Sequence, residues 1–306
     1  MQVHYDLERL PEFRKAVVTI GTFDGVHRGH QQILKALRGQ AAAVNGETLV
    51  ITFDPHPRKI VQGGSLELIT TLSEKAALLE QHEIDHLVVV PFTQAFAAQD
   101  ADAYVRDFLV GRFRPHTLII GYDHRFGKGR SGGYELLEAL APEYKYTLIE
   151  IPQQLVHELG ISSTKIREAL KQSDIASAED LLGHHFSFEG GVIHGDKLGR
   201  TIGYPTANLS YLDDDKIRMG EGVYAATATY EGRIIKGMLS IGKRPTLNDV
   251  IERVEINLFD FDEAIYGARL RVEVRKYLRA QEKYPSLEEL KAQLHRDKES
   301  SLEALA

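Results

Sequence analysis

The sequence of 306 residues contains no cysteine, which excludes disulfide bonds, thiolate nucleophiles and cysteine-based metal sites. Its first residues, Met1 to Asp6, lack a basic segment followed by an apolar run, and no apolar stretch has the length of a membrane span. These absences favour a reducing, cytoplasmic location and predict no membrane partner.

Positive charge is also scarce, because 44 acidic residues outweigh 37 basic ones and leave a net charge of −7. Such a chain has no general attraction for nucleic acid, although a local basic site is compatible with it. The motif Gly-x-x-x-x-Gly-Lys-Ser/Thr is absent, so any phosphate binding is not of the P-loop type. The length suffices for two domains with separate cores. The sequence does not indicate the oligomeric state.

The first half alternates strand and helix signals. This alternation, with nearly continuous apolar strands, predicts an α/β fold with a parallel sheet covered on both faces. The predicted strands are residues 16–20, 49–53, 86–92, 117–121 and 146–151. The predicted helices are residues 31–37, 74–80, 101–113 and 134–140, with Ser73 as the N-cap of the second.

The stretch from Gly21 to His30 joins the first predicted strand to the first helix. It holds three glycines, and His27 and His30 fall on one face of the opening helical turn. Glycines let the backbone approach a ligand closely, and a helix N-terminus attracts phosphate. A lone His-x-Gly-His is more often a tight turn, but the first β–α junction of a parallel sheet is where ligands bind. The stretch therefore predicts a phosphate site.

A second candidate phosphate site lies between Ile161 and Arg167. Three consecutive hydroxyl residues, 162–164, run into an amphipathic helix that carries a lysine and Arg167 in its first turns. One hydroxyl is expected to cap the helix. The remaining hydroxyls, the helix N–H groups and a bidentate arginine together make a phosphate clamp.

The segment Gly127–Gly132 matches the dinucleotide fingerprint Gly-x-Gly-x-x-Gly, with Glu150 as the acidic partner. The true fingerprint begins where its strand ends, whereas the nearest predicted strand ends at Gly121. A basic, glycine-rich loop over a nucleotide or phosphate is therefore favoured over a nicotinamide site, and a plain solvated loop stays open.

From Phe186 onward, strand signals crowd together and predict a small antiparallel barrel. The predicted strands are residues 186–193, 222–230, 233–241, 253–261 and 268–277, followed by an amphipathic helix at 286–294. A short hairpin turn is expected at Glu231 and Gly232. The boundary is placed near residue 184, giving domains 1–184 and 185–306.

One long stretch of the barrel, residues 195–208, combines glycines and cations with a proline-fixed turn. The residues in question are Gly195, Lys197, Gly199, Arg200, Gly203, Thr206 and Asn208. A long connecting loop explains the glycines, but such loops in compact domains are often functional. The functional interpretation is a flap whose N–H groups cradle ATP phosphates, with Thr206 and Asn208 as oxygen ligands of Mg²⁺.

These motifs resemble known ones. Gly21–His30 resembles the His-x-Gly-His signature of the nucleotidyltransferase superfamily, and Ile161–Arg167 resembles its Ile-Ser-Ser-Thr-x-x-Arg signature. Thr52–Pro57 and Gly121–Gly127 are similar to segments of the bacterial bifunctional riboflavin kinase/FAD synthetases. The resemblance implies a Rossmann-like nucleotidyltransferase domain that joins FMN to AMP.

The resemblance also implies residue roles for this adenylyl step. His27 and His30 contact the ATP phosphates and stabilise charge at the α-phosphorus. The implied nucleotide- and flavin-binding residues are Gly21, Phe23, Asp24, Gly25, Asp123, Ser163 and Thr164, and Arg167 joins the last two in holding the triphosphate and the departing pyrophosphate. No protein nucleophile is needed, because the FMN phosphate attacks in line and catalysis is positioning and electrostatic stabilisation.

The stretch ending Gly203-Tyr204-Pro205-Thr206-Ala207-Asn208 resembles the Gly-x-Pro-Thr-Ala-Asn signature of riboflavin kinase, and Gly222–Tyr224 and Ser240–Thr246 agree with that family. Alternation alone puts Glu255 on the polar face of its strand, where exposure is expected. The resemblance instead implies that Glu255 is the general base on the ribityl 5′-hydroxyl while ATP donates its γ-phosphoryl group. Arg279 is implied in closing the flavin site.

We therefore expect two successive transfers that use ATP and Mg²⁺: riboflavin to FMN in the barrel, then FMN to FAD in the α/β domain. Three positions depart from the family's commoner residues, namely His124, Leu247 and Asn257. One alternative is that a single module is active. Another is a non-catalytic protein that binds flavin or RNA, and the acidic charge counts against RNA.

Overall fold

The computed structural model describes residues 1–64, 66–152, 161–195, 198–245 and 250–306. Lys197, and residues 196 and 246 of the barrel motifs, lie outside this description. Contacts divide the chain into two compact units, Met1–Ile161 and Ser162–Ala306. The functional division near residue 184 stays a prediction.

The first unit is built on a parallel sheet of six strands in the order β1-β4-β3-β2-β5-β6. The strands are β1 (Gln2–His4), β2 (Val17–Ile20), β3 (Thr48–Asp54), β4 (His86–Pro91), β5 (Thr117–Gly121) and β6 (Thr147–Ile151). The predicted parallel sheet is confirmed. The three residues of β1 were not predicted, because so short a segment carries no pattern.

Helices cover both faces of the sheet. They are α1 (Arg28–Val44), α2 (Pro57–Val61), α3 (Leu72–Gln81), α4 (Gln94–Ala97), α5 (residues 101–113, π-helical over Tyr104–Val110) and α6 (Tyr134–Tyr144). Alternate residues of β2 enter opposite layers: Val18 and Ile20 pack in the core with α5 and α6, and Val17 packs with α1 and α3. The buried strands thus confirm a sheet covered on both sides.

The start of α3 corrects one prediction. Its N-cap is Thr71 rather than Ser73. The Thr71 hydroxyl accepts the N–H of Glu74 at 3.3 Å, and the Glu74 carboxylate accepts the N–H of Thr71 at 2.9 Å. The prediction was wrong because Thr71 stands three residues before Glu74, which is the spacing of this reciprocal pair, whereas the residue three after Ser73 is Ala76, which has no carboxylate.

The second unit contains a closed barrel of six antiparallel strands in the order β10-β11-β8-β7-β12-β9. The strands are β7 (Ser187–Ile193), β8 (Ala207–Tyr211), β9 (Gly222–Tyr230), β10 (Arg233–Pro245), β11 (Val250–Leu258) and β12 (Arg269–Arg279). The helices are α7 (Ser163–Lys171), α8 (Ile175–Leu182), α9 (Leu198–Thr201) and α10 (Leu287–Ala304). The antiparallel barrel and its terminal helix are confirmed, and β8 was missed because it begins inside the proline-fixed turn.

An ion pair fastens α10 to the barrel. The guanidinium of Arg279, on β12, donates to both carboxylate oxygens of Asp297, on α10, at 2.9 and 2.6 Å. Asp297 is 3% exposed, and Gln293 donates to it as well, at 2.8 Å. The hydrogen bonds and the charge of Asp297 raise the pKa of Arg279, so the guanidinium stays charged.

Asp297→Asn is expected to lower the free energy of unfolding of the second unit by about 3 kcal/mol, because it leaves a half-buried guanidinium without its countercharge. Urea unfolding followed by circular dichroism measures the change. Glu263→Gln is the matched control, since its bidentate partner Arg233 lies in the same unit and both side chains are about half exposed, and exposed pairs contribute little. A loss for Asp297→Asn no larger than for the control would contradict the prediction.

Candidate active sites

The centre of the parallel sheet is a topological switch point. β2 lies between β3 and β5, so the chain leaves β2 toward one side for β3 and is carried to the other side for β5. The carboxyl ends of β2 and β5 therefore open a crevice, the place where such sheets bind ligands. The turn 21–27 and the loop 121–127 both begin at this crevice.

The turn 21–27 is strongly bent. Phe23, Gly25 and Val26 have positive φ angles of 48°, 83° and 39°, which is rare for residues with a side chain. Asp24 is 2% exposed. Its carboxylate oxygen Oδ1 accepts the backbone N–H groups of residues 69 and 70, at 2.9 and 3.1 Å. Tertiary hydrogen bonds thus hold the bend in place.

The two histidines lie together at the start of α1. His27 is the N-cap, and its Nδ1 accepts the N–H of His30 at 3.4 Å. The two rings stack with centroids 3.7 Å apart and an interplanar angle of 15°. The ring of Phe23, which is 1% exposed, lies 5.0 Å from that of His30. The spacing therefore places both imidazoles on one face, as predicted.

Burial first, and then the charges of His27 and Lys75, lower the pKa of His30 well below its usual 6.5. His30 is therefore neutral at pH 7. Its Nδ1 is buried and has no hydrogen-bond partner within the described part of the chain. A neutral imidazole at a helix N-terminus offers one N–H donor to a phosphoryl oxygen, at the positive end of the helix dipole.

The loop after β5 shows why position 132, the last glycine of the apparent dinucleotide fingerprint, is a glycine. Phe126 and Gly132 exchange two backbone hydrogen bonds, at 2.9 and 3.2 Å, and the ring of Phe126 stacks on Tyr104 of α5 at 4.8 Å. A Cβ at position 132 would overlap the Phe126 ring. Glycine is thus required there by packing. Asp123 is exposed at the mouth of the loop.

The second signature opens α7, which belongs to the second unit. The hydroxyl of Ser162 accepts the N–H of Lys165 at 3.3 Å, so one of the three hydroxyl residues caps the helix as expected. Ser163 and Thr164 then begin the first turn, and Arg167 lies on the next. The helix is fixed at its far end, where Leu170 accepts the N–H of Gly220 at 3.0 Å.

In the barrel, Asn208 and Glu255 are register partners on β8 and β11. Directly opposed residues point to the same side of a sheet, so the amide and the carboxylate share the outer face. The Glu255 side chain is 28% exposed and lies 3.6 Å from the guanidinium of Arg253. The exposure expected from alternation alone is therefore only partial.

The glycine-rich segment that precedes β8 contacts Asn208 and the strand of Glu255. A Cβ at Gly195 would overlap the amide of Asn208, so the glycine permits a close approach. Tyr204 donates its N–H to Gly199 at 2.9 Å. Asn257, which is 5% exposed, donates its amide N–H to the carbonyl of Pro205 at 2.6 Å. These contacts place the turn and Thr206 next to Asn208.

Gly203 and Tyr204 also border a cavity of about 340 Å³ that α10 closes from the other side. Arg279 lies on the strand that leads to α10, with its guanidinium held by Asp297. Asn257 was not among the predicted site residues. The signal that could have identified it is its polar side chain two residues after Glu255, on the same face of β11.

The two sites define a two-module transferase, with an α/β nucleotide-binding unit and a barrel unit. The family model of FAD synthetase matches residues 10–165, and that of riboflavin kinase matches residues 182–305. A bifunctional riboflavin kinase/FMN adenylyltransferase of Haemophilus influenzae is 38% identical over 93% of this chain and 92% of its own length. Its counterpart in Escherichia coli K12 is 37% identical over 96% and 93%.

The chain belongs to the bifunctional riboflavin kinase/FMN adenylyltransferase family. It is a transferase that converts riboflavin to FMN and FMN to FAD, using ATP in both steps. The main functional prediction is thereby confirmed, and riboflavin, FMN, FAD and ATP are its substrates and products.

A solved structure described as a macrolide-efflux protein from Streptococcus pneumoniae is also similar, with a TM-score of 0.88 and 28% identity over 98% of both chains. Across the part of this chain that the structure describes, no helix combines the length and hydropathy needed to cross a membrane.

Proposed function

We propose that residues 1–184 transfer the adenylyl group and that His27 and His30 stabilise the charge that develops at the α-phosphorus. The observation that supports this is the stacked imidazole pair at the N-terminus of α1, beside the switch point. An oxygen of the FMN phosphate attacks the α-phosphorus of ATP, and the bond to the departing pyrophosphate breaks. The chain supplies hydrogen-bond donors and orientation rather than a nucleophile.

The other residues of this step bind the nucleotide and the flavin. We assign to them Gly21, Phe23, Asp24, Gly25, Asp123, Ser163, Thr164 and Arg167. The FAD synthetase model extends to residue 165, which supports including Ser163 and Thr164. Phe23 and Asp24 are buried, so we assign them the role of shaping the turn that the phosphates contact.

For the kinase step, we propose that Glu255 removes the proton from the ribityl 5′-hydroxyl as that oxygen attacks the γ-phosphorus of ATP. Its register partner Asn208 supports this assignment, because it puts the proposed metal ligand directly opposite Glu255 on the neighbouring strand. The residues proposed to bind ATP phosphates are Gly195, Lys197, Gly199 and Gly203. Arg279 shapes the flavin site from its fixed position beside α10.

Mg²⁺ fits the donor set of this site. Thr206 offers a hydroxyl oxygen and Asn208 an amide oxygen, and both are hard donors of the kind that Mg²⁺ accepts alongside substrate phosphates. Bound there, the ion offsets the charge of the triphosphate. We also propose cytoplasmic action, where ATP is made, with small molecules rather than nucleic acid or a membrane as partners.

Asn208→Ala is expected to raise the Mg²⁺ concentration that gives half-maximal FMN formation by roughly 10–100-fold, as loss of a metal-supporting group does. The purified chain is supplied with riboflavin, ATP and increasing Mg²⁺, and flavins are separated by chromatography. Ser210→Ala is the control, because Ser210 follows on the same strand and is exposed.

FAD formation from supplied FMN should keep its Mg²⁺ dependence in Asn208→Ala. An unchanged Mg²⁺ requirement for FMN formation would remove Asn208 from the metal site. Wild-type product that stops at FMN would favour the alternative in which only one module is active.

A further inference from the structure

Lys75 is a buried cation that neither proposed step uses. It lies in the first turn of α3 and is 6% exposed. Its Nζ donates to the hydroxyl of Thr52 at 3.2 Å, and Thr52 in turn donates to the carbonyl of Thr22 at 3.2 Å. This chain of contacts runs from α3, across the end of β3, to the turn that carries the histidines. Lysines are almost never this buried without a charged neighbour.

The charged and titratable groups around Lys75 come from three elements. Asp24 lies in the histidine turn, Asp54 ends β3, and His30 lies on α1. Burial lowers the pKa of Lys75 to about 8, while the two carboxylates act to raise it. Lys75 is therefore largely charged at pH 7, and its charge contributes to keeping His30 neutral.

A purely structural role explains this lysine poorly. The N-terminus of α3 is already capped by Thr71 and Glu74, and the Asp24 carboxylate already accepts two backbone N–H groups. Burying an ammonium group costs free energy that an apolar side chain of the same length would not. What the charge adds is a positive potential next to two carboxylates, at the place where the proposed function brings phosphates.

We propose that Lys75 is a positioning residue for adenylyl transfer: its buried ammonium, linked through Thr52 to the carbonyl of Thr22, holds the turn that carries His27 and offsets the charge of the nearby carboxylates. The inference rests on the proposed assignment of the adenylyl step to this turn. Without the ammonium, the two carboxylates repel the incoming nucleotide, and His30 takes up a proton more readily.

The test compares Lys75→Met, Lys75→Arg and the control Lys35→Met, which removes an exposed lysine from α1 of the same unit. The measured quantity is kcat/KM for FAD formation from FMN and ATP. Lys75→Met is expected to lower it about 10–100-fold, less than the loss of a direct oxyanion donor. Lys75→Arg should retain most of it, and Lys35→Met all of it.

The pH profile separates a role of the charge from a role in packing. In the wild type, kcat/KM should fall as the pH rises through about 8, because Lys75 loses its proton there and kcat/KM reports groups of the free enzyme. Lys75→Met should start lower and lack this fall, and Lys75→Arg should lack it while staying active. A Lys75→Met enzyme with wild-type kcat/KM, or with the fall at pH 8 intact, overturns the inference.

Two further measurements guard against a folding artefact. Riboflavin kinase activity of the same samples should be unchanged. The pKa of the His30 ring, followed by NMR on chain labelled at histidine, should rise in Lys75→Met. If that pKa does not move and both Lys75 variants lose activity equally, the role is structural and the inference fails. If His30→Ala leaves FAD formation intact, the underlying assignment fails instead.

Discussion

We expect the His30→Ala variant to convert riboflavin to FMN but to form little FAD. The variant loses the imidazole N–H that we propose donates to the ATP phosphates, while it keeps the His27 cap of α1. Removal of one such donor typically lowers kcat by about 10²–10³-fold, and we expect that loss in FAD formation from FMN and ATP. Riboflavin kinase activity, measured on the same sample, should be unchanged and so serves as an internal control for folding.

His30 is a better target than His27, because His27 also caps the helix and its loss mixes stability with chemistry. His82→Ala is the matched control, since His82 ends α3 and is not among the proposed site residues. If His30→Ala forms FAD within threefold of the wild-type rate, the histidine pair does not carry the adenylyl step.

Glu255→Gln is expected to have the largest effect on the kinase. The amide keeps the shape of the side chain but cannot accept the hydroxyl proton, and general-base catalysis is worth about 10²–10⁴-fold. FMN formation from riboflavin should fall by that factor, whereas FAD formation from supplied FMN should persist. The measurement is a chromatographic time course with each flavin offered separately.

The control for this variant is Glu273→Gln. Glu273 lies on β12, its side chain is 28% exposed like that of Glu255, and it also lies beside arginines. A general effect of removing a half-buried, arginine-paired carboxylate would appear in both variants. Equal losses in the two would refute a special role for Glu255 as the base.

The sequence was most informative where a pattern extends over many residues. The apolar strands of the sheet and the alternating strands of the barrel were predicted nearly to their bounds, since burial on two faces or on one imposes a period. β1 was missed because three residues are too few to show one, and β8 because it begins inside the proline-fixed turn. The N-cap of α3 was misplaced although the sequence carries the signal, because Thr71 and Glu74 stand at the spacing of a capping box.

The site was predictable only where residues adjacent in sequence act together. His27 and His30 are three apart, so helical geometry alone places them side by side. The opposition of Asn208 and Glu255 depends on strand register, which alternation does not fix between distant strands. No sequence motif singles out Lys75. Its burial arises from the packing of α3 on the end of β3, a tertiary contact that local sequence does not encode.

The closed barrel has a consequence for synthesis of the chain. β12 pairs with both β7 and β9, so two strands made earlier keep open edges until residues 269–279 leave the ribosome. Unpaired edges are templates for wrong association, and contacts between distant segments form slowly. The barrel is therefore completed only after residues 269–279 have been made, while the parallel sheet, whose strands all precede residue 152, is available to fold well before it.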